Sequence, residues 1–75
     1  MSIVNTNQIS WIVVCINEFA RSRKINPQDA FRYLYINGGI SFMINHYDAE
    51  HLLSLEDTVE DLTRICAQNG GDFSC

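Results

Sequence analysis

The sequence predicts an all-α fold, a compact bundle of four short helices. Apolar residues recur at three- and four-residue spacing through four stretches, each stretch is bounded by helix start or stop residues, and the connections are short. With 75 residues, 47 % hydrophobic and 19 % charged, the chain has material for one core and no second, so 1–75 reads as a single helical domain. Residues 1–6 and 71–75 are unpatterned and read as loosely ordered tails.

The first helix runs from Asn7 to about Lys24, a stretch without Gly or Pro in which Ile9, Ile12, Val13, Ile16, Phe19 and Ala20 keep helical spacing. Its β-branched run would also suit a buried strand, but an unbroken stretch of this length favours a helix. Asn26 before Pro27 opens the second helix: the Asn side chain caps exposed N–H groups, and Pro at the first helical position has no N–H to satisfy. Ala30, Phe31, Leu34 and Tyr35 are its predicted inner face, and Asn37-Gly38-Gly39 ends it.

A third helix is expected from Ile40 to Ala49 or slightly beyond, with Ile40, Met43, Ile44, Tyr47 and His51 on one side and Phe42, His46 and Glu50 on another. Ser54 followed by Asp57 resembles a capping box and opens the fourth, whose stripe is Leu55, Val59, Leu62, Ile65 and Cys66 and which stops at Asn69-Gly70. Glu56, Asp57, Glu60 and Asp61 suit the positive end of that helix dipole, and Glu60 has the spacing to pair with Arg64.

Composition narrows the function. The longest apolar run, Trp11 to Ile16, is too short to span a bilayer and no secretory leader is visible, so a cytoplasmic protein without membrane contact is expected. Cys15, Cys66 and Cys75 are an odd number without paired spacing, which argues for reduced thiols. The first two lie on apolar stripes, where cysteine behaves as a small buried hydrophobe, and Cys75 is expected to be exposed. The net charge of -4 is divided between +2 over residues 1–38 and -6 over 39–75. Such a dipolar chain suits head-to-tail pairing or a basic partner.

No constellation predicts catalysis, a cofactor or a metal. His46 and His51 are about 140° apart around a helix, and His46 with Glu50 offers two ligands where zinc takes three or four. Neither Cys15 nor Cys66 has a cationic neighbour to make a thiolate, and the Gly pairs lack the Lys and spacing of a phosphate loop, so no small-molecule substrate is evident.

Partners are the better expectation. The first helix turns Ser10, Asn17, Glu18 and Arg21 to solvent, yet Val14 falls among them and Trp11 at their edge, which makes Trp11, Val14 and Glu18 candidates for a protein interface, with another protein or a second copy. The alternative is a nucleic-acid-associated regulator using a basic patch of Arg21, Arg23, Lys24 and Arg32. Nucleic acid is the weaker reading, because the Ile40–Glu50 helix that would enter a groove carries Asp48 and Glu50 and no cation.

Cys15-Ile16-Asn17-Glu18, the Ala30 to Leu34 stretch, Tyr47 to His51 and Val59-Glu60-Asp61, in that order within residues 8–69, resemble a family of short bacterial proteins known only as a domain of unknown function. The resemblance implies a small interaction module, since members are frequent gene neighbours of ADP-ribosyltransferase-like, toxin-type proteins, and so a neutralising partner of such a protein. It also draws attention to His51 with Tyr47. A Leu commonly precedes that His in the family and a polar residue follows it, whereas Glu50 and Leu52 stand there in this chain. His51 is therefore expected to be structural, a partly buried imidazole bonded to backbone where the third helix ends.

Overall fold

A computed structural model describes residues 6–70. Five helices follow in order: α1 (Thr6–Arg23), α2 (Pro27–Ile36), α3 (Gly39–Asn45), α4 (Tyr47–Glu50) and α5 (Leu55–Gln68), with no strand among the described residues. The four expected helical stretches are all present. Thr6, assigned to the lead-in, begins α1; the rest of both tails, with Cys75, lies outside the described residues.

The ends obey local chemistry. α1 stops at Lys24, which takes a left-handed φ of 59°, and Ile25 N–H then reaches back to Ala20 O at 3.0 Å, closing the helix as a Schellman turn does. Asn26 Oδ1 accepts from Asp29 N at 2.7 Å to open α2, and Ser54 Oγ accepts from Asp57 N at 3.1 Å to open α5. Gly38, at φ +84°, makes the turn into α3, and Asn69 Nδ2 at the far end of α5 donates to Asn37 O at 2.9 Å, tying that turn down. Asn26→Ala is expected to lower stability by about 1 kcal/mol. Thermal unfolding followed by circular dichroism should show the midpoint fall by about 4–8 °C.

α1 is the central element and packs against α2, α3 and α5. Cys15, Phe19 and Ala20 of α1 meet Ala30 and Leu34 of α2, Met43 of α3 and Val59, Leu62 and Cys66 of α5 in one core. Tyr33 stacks on Phe19 with ring centroids 5.8 Å apart. The Cα radius of gyration, 11.5 Å, matches the roughly 11 Å of a compact chain this long.

Three expectations about elements and faces need correction. The third helix is not continuous: it breaks at His46 (φ -118°, ψ 23°), after the poor helix former Asn45, and a separate turn, α4, carries Tyr47 to Glu50. Tyr47 then meets Trp11 edge to face, centroids 5.4 Å apart, and Glu50 rather than Tyr47 is the α4 residue buried. With α4 covering Trp11, the inward ridge of α1 is Trp11, Cys15 and Phe19, flanked by Ile12 and Ile16, while Ile9 and Val13 are half exposed. On α2 the inward residues are Ala30, Tyr33 and Leu34, and Phe31 and Tyr35 face outward, because α1 and α3 cover only one side of this ten-residue helix.

Candidate functional site

The outward side of α2 carries large apolar residues that the core does not use. Pro27, Phe31 and Tyr35 recur every four residues and so lie along one ridge, with Gln28 and Arg32 beside it; together they line a shallow hollow. Phe31 is 46 % exposed and Tyr35 67 %, and their rings stack with centroids 5.9 Å apart. Ile36, 69 % exposed, extends the apolar area to the end of the helix. Arg32 is the cation at the rim, and its nearest carboxylate, Asp29, stands 3.9 Å away with both side chains mostly in water. An ion pair so exposed contributes little, so the guanidinium costs little to divert to another anion. Stacked aromatics presented to solvent beside an arginine are the residue types that anchor protein interfaces.

The residues singled out on α1 divide. Val14 is exposed, at 46 %, as expected. Trp11 is half buried against Tyr47 and the core, and Glu18 is half buried and engaged by Arg21. The basic residues have separate contacts: Arg21 is held by Glu18, and Arg23 lies over the Phe19 ring, 5.3 Å from its centroid, and donates to Thr63 Oγ1. Lys24 occupies the exposed turn after α1, and Arg32 belongs to the α2 face.

His51 bonds to backbone at the end of α4, its Nδ1 standing 2.6 Å from Tyr47 O, with its ring stacked on Tyr47 at 4.4 Å. A carbonyl only accepts, so Nδ1 carries the proton and, in the neutral ring, Nε2 is left with the lone pair. The expectation of partial burial is corrected: the residue is exposed, as the C-cap of the one-turn α4. Arg64 likewise pairs with Asp61 at 2.9 Å rather than with Glu60, one turn earlier on the more exposed side.

Both expected thiols are buried. Burial, with nearby Glu50 adding to it, pushes the Cys15 thiol up to about 12. Burial raises Cys66 too, against a backbone hydrogen bond from Gly39. Neither forms a thiolate near neutral pH. Among the described residues no three His, Cys, Asp or Glu side chains are grouped as a metal site. No helix there is long and apolar enough to cross a membrane.

Sequence reasoning missed two residues. Thr58 is buried on α5 and donates to Glu50 O at 3.3 Å, and Glu50, placed on one side of the third helix with Phe42 and His46, is 7 % exposed. One signal for Glu50 was available: it stands seven residues after Met43, within about 20° of it around a helix.

A family described as "Protein of unknown function (DUF3791)" matches residues 10–69. No curated protein and no solved structure matches the chain.

Proposed function

Since the chain belongs to this family of proteins of unknown function, which the match over residues 10–69 establishes, we propose a role that the surface itself supports: a non-catalytic protein-interaction module that docks through the outer face of α2. One observation carries the reading. Phe31 and Tyr35 form a stacked, solvent-facing aromatic pair on a helix whose opposite side alone serves the core. Burying such rings against a partner releases water from a large apolar area, and Arg32 beside them adds a preference for an acidic neighbour at the rim. Val14, on α1, is a separate exposed apolar position.

The class of partner follows from the resemblance alone: an ADP-ribosyltransferase-like, toxin-type protein that this chain would neutralise. Co-expression tests it. The wild-type chain should co-purify with such a protein encoded beside it and restore growth of a host that the protein poisons. Phe31→Ser/Tyr35→Ser should weaken co-purification at least tenfold while leaving the thermal midpoint within a few degrees, because neither ring belongs to the core. Equal recovery with the double variant would reject the α2 face. Light scattering on the same two proteins separates self-association: a dimer lost in the variant would make a second copy the partner.

A further inference from the structure

Glu50 is a carboxyl group in a place that suits no lone carboxylate. It is 7 % exposed, its Oε1 is enclosed without a hydrogen-bond partner, and Asp61 lies one turn along α5 from Thr58, whose hydroxyl bonds to Glu50 O. The groups around it come from every neighbouring element. α5 supplies Asp61, Arg64 and the Thr58 hydroxyl; α1 supplies Cys15, whose thiol is neutral; α3 has no ionisable side chain; and α4 itself adds Tyr47 and Asp48, with His46 before it and His51 after. Arg64 pairs with Asp61 at 2.9 Å, so with both acids ionised the trio carries one excess negative charge, and of the three Glu50 is the one shut away from water.

An enclosed acceptor without a donor is unfavourable, and two adjoining carboxylates resist ionising together. A single proton answers both difficulties, because a protonated Glu50 donates to Asp61 and Asp61 keeps its charge for Arg64. The same residue already fastens α4 to α5 through its backbone, where the Thr58 hydroxyl donates to Glu50 O. We propose that Glu50 and Asp61 share one proton as a clasp between α4 and α5, and that releasing this proton to solvent loosens α4 and the segment up to Ser54 while the rest of the bundle stays folded.

Burial, then the hydrogen bond and charge of Asp61, push Glu50 up to about 7 from its usual 4.5; Arg64 and Thr58 pull the other way. The sign follows from linkage. The docked state binds the proton more tightly than the open one, so the contribution of the clasp is complete below about 4.5, declines as pH rises, and is gone above about 7.

Hydrogen exchange across residues 46–54, corrected for the intrinsic pH dependence of amides, tests this directly. In the wild type the opening equilibrium should rise on the order of tenfold or more between about pH 5 and 7.5. Glu50→Gln should hold it flat, since a carboxamide donates to Asp61 at every pH. Asp61→Asn should move the rise to lower pH. His46→Gln/His51→Gln should keep the rise, which separates the clasp from the two imidazoles at either end of α4. A flat wild-type profile, a rise that persists in Glu50→Gln, or one abolished by the histidine pair would overturn the proposal. Should Glu50→Gln not fold, carbon NMR of the Glu50 carboxyl in the wild type decides: a midpoint near 7 supports the shared proton, and one below 5 rejects it.

Discussion

Phe19→Ala is expected to leave the protein largely unfolded at physiological temperature. Phe19 is fully buried near the C-terminal end of α1, where its ring meets Tyr33 at 5.8 Å and lies under the Arg23 guanidinium. Truncating a buried Phe costs about 3–5 kcal/mol through lost transfer energy and the cavity left behind. A single core in a chain this short supplies only about 3–5 kcal/mol in total. The two magnitudes are equal, so the folded fraction should collapse; far-ultraviolet circular dichroism and proton NMR dispersion would register it. Retention of a cooperative transition within a few degrees of the wild type would mean that the core is held by something other than the packing described.

The second large effect is expected from Gly39→Val. Gly39 begins α3 where it passes over α2, so closely that a Cβ on it would stand 2.8 Å from Leu34 Cδ2, 3.2 Å from Leu34 Cβ and 3.3 Å from Cys66 Sγ. All three atoms belong to fully buried side chains and have no open space to retreat into. A branched side chain must therefore force α3 away from α2 and α5, at about 1–3 kcal/mol or more. A fall of roughly 10 °C in the thermal midpoint is the expected reading. Gly39→Ala should lose less, since a helical alanine regains up to about 1 kcal/mol over glycine. Gly38→Ala discriminates the mechanism: there the penalty comes from φ +84° together with a contact of 2.7 Å to Asn69 Nδ2, an exposed side chain that can move. A Gly39→Val protein as stable as the wild type would show that the α2–α3 contact is looser than described.

Much of this architecture was legible in the sequence because helix ends are local events. Asn26-Pro27, Ser54-Asp57, Gly38-Gly39 and Asn69-Gly70 each act on their own backbone, and each sits at or next to an observed boundary. The burial of Cys15 and Cys66 was legible for a similar reason, since both lie within apolar stripes. What failed was the choice among apolar faces. Spacing says that a helix has an oily arc, but which part of it a neighbour covers is decided by the neighbour. Phe31 and Ala30 are equally good inner residues on a helical wheel, and only the positions of α1 and α3 separate them.

The candidate site was legible least of all. The α2 face was hidden because its aromatics were assigned to the core, and Glu50 because it was grouped with Phe42 and His46, although seven residues at about 100° each bring it back to within about 20° of the buried Met43.

The contact between Trp11 and Tyr47 has an optical consequence. The chain has one tryptophan, and its indole lies at the joint where α4 rests on α1, away from the Phe19 centre of the fold. Its emission therefore reports whether that joint is shut, and the unmodified protein comes with a fluorophore placed to tell a lifted α4 from a melted bundle.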